Sequence, residues 1–198
     1  MATDRLEIRV TGFGGQGVIL TGYILGKAAA LFRDQNAVLA QTYGPEARGS
    51  ACRADLIVSP KPIDYPQVAR PNILIALSQD GYTTHKKFID PEGIIFYDEE
   101  LVHPDAESPV FHASIPATRF AKEVGHKIMA NIVMLGFCTA LTDLATAESM
   151  EKAVSGSVPK GTEPKNLNAF RKGYEYGTQW LGSRSTGNGH KDSPYLRK

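Results

Sequence analysis

Apolar residues along the chain fall into short blocks separated by glycine-, proline- and charge-rich segments. Leu6 to Thr11 reads as a buried strand that leads straight into GFGGQG at 12–17. Val18 to Phe32, rich in Ala and Leu with apolar residues on all sides, predicts a helix. Ala37 to Gln41 and Ala51 to Val58 are further strand candidates on either side of the loop TYGPEARGS. Asn72 to Leu77 and Gly93 to Tyr97 are nearly continuous apolar runs, the pattern of strands covered on both faces, with Gln79 to Phe88 as the helix between them. Val110 to Ala113 adds another strand, and Pro116 to Glu123 a short helix with Pro near its first position. Lys127 to Leu144, Thr146 to Val154 and Leu167 to Leu181 predict three more helices.

These elements predict an α/β fold, three-layer α/β/α, with a largely parallel or mixed central sheet and a helical C-terminal third. A length of 198 residues fits a single domain, placed at 1–182. After Gly182 the chain is polar and poor in large aliphatics, so residues 183–198 are expected to form a tail that is disordered or ordered only by a neighbour.

Charge changes this picture little. Twenty-two Lys and Arg balance twenty-one Asp and Glu, which gives no global field for nucleic acid or an acidic membrane, and any anion site must be local. The start MATDRLEIRV lacks a basic segment followed by an apolar one, and no apolar run reaches bilayer length, so a cytoplasmic protein without membrane contact is expected. The two cysteines, Cys52 and Cys138, form no CxxC pair and are expected to be buried, reduced thiols. The five histidines show no HxxxH spacing, so no metal site is expected. No Walker A sequence, GxSxG elbow or Ser/His/Asp set is present, so no catalytic residue is assigned to the chain alone.

Two loops carry candidate chemistry. Gly12, Gly14 and Gly17 satisfy GxGxxG between a strand and a helix, where backbone N–H groups and the helix dipole receive phosphate. A dinucleotide fold also requires an acidic residue closing the second strand, yet that strand ends Gln41-Thr42-Tyr43. The same glycines serve equally for a tight turn and close packing. In the second loop Arg48 offers a forked cation, with Gly49 and Ser50 as shorter donors to an anion, while an Arg48–Glu46 or intersubunit ion pair is the structural alternative. Glu46 is a weaker candidate as a base. Asn131, inside an apolar helix, needs a hydrogen-bond partner, with a loop backbone favoured over a ligand.

The blocks GFGGQG, QTYGPEARGS, ACRADLIVS, IDYP, PNILIALSQ and ANIVMLG, in this order over about residues 6 to 181, resemble the gamma subunits of 2-oxoacid:ferredoxin oxidoreductases. The resemblance implies a non-autonomous subunit, inactive alone, of a complex that converts a 2-oxoacid and coenzyme A to acyl-CoA and CO₂ with reduction of ferredoxin. It implies alpha and beta partner subunits, with a ferredoxin-like delta subunit as an optional fourth, and thiamine diphosphate, Mg and iron–sulfur clusters in those partners. For this chain it implies a share of the coenzyme A site, with Gly12, Gly14, Gly15 and Gly17 as a close-approach loop and Arg48, Gly49 and Ser50 as anion contacts. YGPEARGS with IDYP is most similar to the 2-oxoglutarate type. A pyruvate or indolepyruvate relative and a freestanding Rossmann-type nucleotide-binding oxidoreductase are the alternatives.

Overall fold

Alternate residues of the first strand, β1 (Leu6–Phe13), divide the molecule between two unlike faces. Ile8 and Val10 enter the main apolar core, whereas Arg9 and Thr11 lie buried on the other side. A computed structural model describes residues 5–44, 51–184 and 193–197.

The chain forms a six-stranded sheet with β2 (Asn36–Tyr43), β3 (Ala51–Ser59), β4 (Ile73–Ala76), β5 (Ile94–Asp98) and β6 (Phe111–Ile115), in the order β2-β3-β1-β4-β5-β6. It is mixed. β1, β4, β5 and β6 run parallel, while β3 pairs antiparallel with both β1 and β2. The expected α/β class and mixed sheet are borne out. β3 reaches its place between β1 and β2 because Gly44 and Ala51 close a hairpin, the Gly44 N–H donating to the Ala51 carbonyl at 2.9 Å.

Five helices gather on the Val10 side: α1 (Val18–Phe32), α3 (Ala117–Val124), α4 (Ala130–Leu141), α5 (Ala147–Ser155) and α6 (Glu163–Arg184). α2 (Gln79–His85) covers the opposite side of β4 and β5, where Tyr82 packs with Leu74, Ala76 and Ile95. Helix starts follow side-chain chemistry: Ser78 Oγ accepts from the Gly81 N–H at 3.1 Å, and Thr146 Oγ1 from the Ser149 N–H at 3.1 Å. The expected helix from Lys127 begins with a 3₁₀ turn at Lys127–Met129 and ends at Leu141, three residues early, because Thr142 turns to extended backbone.

α4 is buried along nearly its whole length, and α6 crosses it at backbone contact. A Cβ on Gly136 would collide with the Phe170 carbonyl and one on Gly173 with the Val133 carbonyl, so two facing glycines let the helices touch. Phe137 fills the space beside them, edge-on to Phe96 at 5.8 Å and to Trp180 at 6.0 Å between centroids.

Residues 193–197 touch the domain at three places. Ser193 Oγ donates to the Glu92 carbonyl at 2.6 Å, Asn72 Nδ2 donates to Tyr195 Oη at 2.7 Å, and the Arg197 N–H donates to the Leu141 carbonyl at 2.7 Å. Tyr195 and Leu196 pack on the core, two apolar side chains in an otherwise polar sequence.

Candidate functional site

The sheet places its loops unevenly. β1 is followed by α1 on one face, and β4, its parallel neighbour, by α2 on the other, so a crevice opens at the C-terminal ends of these two strands. Open α/β sheets bind ligands at such switch points.

The glycine segment lies there, and its glycines do different work. Gly12 still belongs to β1: a Cβ would stand 2.6 Å from Gln16 Oε1 and 3.1 Å from Leu77 Cβ. That space admits the Gln16 side chain, whose Oε1 accepts from the Phe13 N–H at 2.6 Å and whose Nε2 donates to the Leu77 carbonyl at 2.7 Å, tying the loop to β4. Gly14 and Gly15 line the crevice, and Gly15, at φ 94°, has nothing within 4 Å of where a Cβ would be. Gly17 caps α1 in the left-handed conformation, φ 75°, without a side-chain cap at this helix start. A Cβ there would collide with the Asn131 amide.

Asn131 is 3% exposed, and its Nδ2 lies 3.4 Å from both the Gly17 carbonyl and Thr21 Oγ1. The expected loop-backbone partner is therefore found, and it is the glycine loop itself. Asn131 also lines two neighbouring hollows of about 690 and 500 Å³, which share Gly15, His126 and Ile128 as well. Val18, Ile132, Val158 and Pro159 give the larger one apolar walls, with Lys165 and Asn166 from the start of α6. Lys122 and Lys127 line the smaller.

The acidic residue in the smaller hollow is engaged by main chain. Asp98 Oδ2 accepts from Thr118 N at 2.8 Å and Thr118 Oγ1 at 2.5 Å, and Oδ1 accepts from Glu100 N at 3.1 Å, so it caps α3 from outside. His126 Nδ1 accepts from the Ile128 N–H at 3.1 Å, which leaves Nε2 as the protonated nitrogen of the neutral ring. Cys52 borders the larger hollow and Cys138 is enclosed in α4; burial pushes both thiols up, so neither is a thiolate at neutral pH.

The dinucleotide alternative meets a geometric obstacle. β3 separates β1 from β2, so the end of β2 stands two strand spacings, roughly 10 Å, from the glycine loop. A ribose-binding carboxylate at the end of β2 would be displaced from its place in a Rossmann unit. Arg48, Gly49, Ser50 and Glu46 lie outside the described residues. Sequence reasoning missed His126, Lys127, Lys165 and Asn166, although the polar groups HK and EPKN, each opening a helix, mark those positions.

Known proteins share this arrangement of strands and loops. A family model described as pyruvate ferredoxin/flavodoxin oxidoreductase matches residues 7–176. The chain belongs to that family. Among its relatives, the 2-oxoglutarate synthase subunit KorC of Methanocaldococcus jannaschii is 53% identical over 86% of this chain and 93% of its own length. The gamma subunit of a keto/oxoacid ferredoxin oxidoreductase from Geobacter sulfurreducens superposes with a TM-score of 0.78 at 35% identity, covering 88% of this chain and 99% of that one. A 2-oxoglutarate:ferredoxin oxidoreductase from Magnetococcus marinus, solved with 2-oxoglutarate, coenzyme A and succinyl-CoA, shares the fold at a TM-score of 0.80, with 24% identity over 98% of this chain and 33% of that one. The gamma-subunit resemblance drawn from the six sequence blocks is thus borne out. Among the described residues no helix of this family member is long and apolar enough to cross a membrane.

Proposed function

We propose that the chain is the gamma subunit of a cytoplasmic 2-oxoglutarate:ferredoxin oxidoreductase, and that its crevice holds part of coenzyme A. Within the complex, 2-oxoglutarate and coenzyme A yield succinyl-CoA and CO₂ while ferredoxin is reduced. The observation that carries the local role is the start of α1, free of any side-chain cap and without an acidic residue in its first turn, opening beside the bare Gly15 into an apolar crevice edged by lysines. Helix starts of this kind accept phosphate, and the lysines supply further positive charge. The apolar walls suit the uncharged arm of the same molecule.

Two cysteines, both buried, supply no thiolate set for an iron–sulfur cluster; the family resemblance implies that the clusters, Mg and thiamine diphosphate lie in alpha and beta partner subunits, with ferredoxin as the acceptor. In this reading Gly14, Gly15 and Gly17 shape the near wall, Gly12 admits the Gln16 brace, and Arg48, Gly49 and Ser50 add anion contacts from the neighbouring loop. Arg48→Ala in the assembled enzyme tests it. The apparent KM for coenzyme A is expected to rise about tenfold or more, with 2-oxoglutarate decarboxylation in single turnover unchanged. Equal loss of both steps would remove Arg48 from the coenzyme A site.

A further inference from the structure

On the sheet face opposite α1, a second and smaller cavity of about 180 Å³ lies between the ends of β1, β2 and β3 and the last turn of α2. Thr11, Thr42, Arg53, Asp80, Thr84 and His85 line it. Thr11 and Arg53 are direct partners across β1 and β3, and Arg53 and Thr42 across β3 and β2, so the floor is one cross-strand row. Gly81 lets α2 approach: a Cβ there would stand 2.5 Å from Thr11 Oγ1.

Three residues of this lining each carry a buried polar atom without a hydrogen-bond partner: Thr11 Oγ1, Arg53 Nε and His85 Nδ1. Thr11 is only 1% exposed. Arg53 Nε stands 3.2 Å from Asp55 Oδ2 as an ion pair, without the alignment of a hydrogen bond. Folded proteins rarely leave even one such atom unsatisfied, because its lost hydration is not repaid unless something fills the space. The hydroxyl and guanidinium atoms are donors, and the neutral imidazole becomes one in its Nδ1–H tautomer.

Charge favours a group of the opposite sign. Asp55 is shared by two guanidiniums, Arg9 at 2.7 Å and Arg53 at 3.2 Å, which leaves these three groups with one positive charge in excess before the lining Asp80 is counted. Asp80 is solvent-exposed and acts on His85 less strongly than either guanidinium; burial and those two cations hold the ring neutral, its pKa lowered to about 4.

We propose that this cavity is a second binding site, distinct from the glycine-loop crevice, for one small oxyanion group, a carboxylate or phosphate, held by Thr11, Arg53 and His85. A hollow of this size has room for such a group. The oxyanion is either a free ion or the side-chain carboxylate of a partner subunit.

The test follows the His85 ring resonances of the full chain, assigned by their loss in His85→Gln, during titration with sodium phosphate and separately sodium acetate at constant ionic strength. A saturable shift that moves the His85 midpoint upward is expected. Thr11→Val and Arg53→Gln should each weaken it about tenfold or more, while Thr11→Ser, which keeps the donor, retains it. A structure of the assembled complex with and without phosphate separates the sources: a partner Asp or Glu between Thr11 and Arg53 identifies a docking carboxylate, and phosphate density there a free ion. The proposal is overturned if His85 responds to neither anion and the cavity in the complex holds only water. A response that persists unchanged in both Thr11→Val and Arg53→Gln overturns it equally.

Discussion

Arg9 on β1 and Asp55 on β3 face each other in register, and their side chains meet through two hydrogen bonds, Nε to Oδ1 at 2.7 Å and Nη2 to Oδ2 at 3.0 Å. Both are buried, and Arg9 Nη2 also donates to the Val68 carbonyl at 2.8 Å. Asp55→Ala would leave the Arg9 and Arg53 guanidiniums together without their acid. Breaking a buried pair from one side costs about 3–5 kcal/mol, so the urea midpoint of this variant is expected to collapse. Arg9→Met with Asp55→Leu, which removes the buried pair and leaves only the part-exposed Arg53 guanidinium without its acid, should recover most of that loss; a double variant as unstable as the single one would mean that the stranded Arg9 charge is not responsible.

The α4–α6 contact predicts an inversion of helix propensity. Alanine normally stabilises a helix over glycine by about 1 kcal/mol. At Gly136 and Gly173 the added methyl meets the backbone of the facing helix, which no rotamer change relieves. Each Gly→Ala change is expected to destabilise by about 1–3 kcal/mol or more, read from urea unfolding. At Gly182, where a Cβ would meet nothing within 4 Å, the same change should be neutral or favourable and serves as the control.

Most elements were legible from the spacing of apolar residues; what joins them was not. The helix from Val18 to Phe32 appears where the run of Ala and Leu places it, and β4 and β5 emerge from NILIAL and GIIFY because strands covered on both faces must be apolar throughout. The insertion of β3 between β1 and β2 depends on a hairpin closed at Gly44 and Ala51 and has no local signature. Arg9 and Asp55 sit at positions that strand alternation assigns to solvent, yet the segment carrying Val68 covers them. The crevice shows the same division. Its glycines were readable, but Lys127 and Lys165 reach it from helices more than a hundred residues downstream, through a packing that periodicity does not encode.

Acid should weaken the fold through its neutral histidines. His85 is held at about 4 against 6.5 when free, and His112, half-buried with Nδ1 2.8 Å from the Val110 carbonyl and Nε2 3.2 Å from Tyr82 Oη, is also lowered. Between these values the unfolded chain binds more protons than the folded one, so stability increases with pH across that window and is lost as pH falls through it. Urea midpoints at pH 7 and pH 5, without added phosphate or carboxylate, should drop for the natural chain and drop less for His85→Gln. An equal drop in both would assign the acid sensitivity to other groups.

Two positive-φ glycines of the loop before α1 are expected to respond differently to the same change. Gly15 and Gly17 both hold backbone that costs an L-residue about 1–2 kcal/mol. A methyl on Gly15 points into open space, whereas one on Gly17 strikes the Asn131 amide and displaces the residue that fixes the start of α1. Gly17→Ala is therefore expected to lower the melting temperature more than Gly15→Ala. If the crevice holds coenzyme A, the order of effects on function reverses per unit of stability lost: Gly15→Ala intrudes on the ligand while leaving the helix start intact. In the assembled enzyme its apparent KM for coenzyme A should rise several-fold at nearly unchanged decarboxylation. A Gly15→Ala enzyme with an unaltered KM would show that the ligand does not approach this wall.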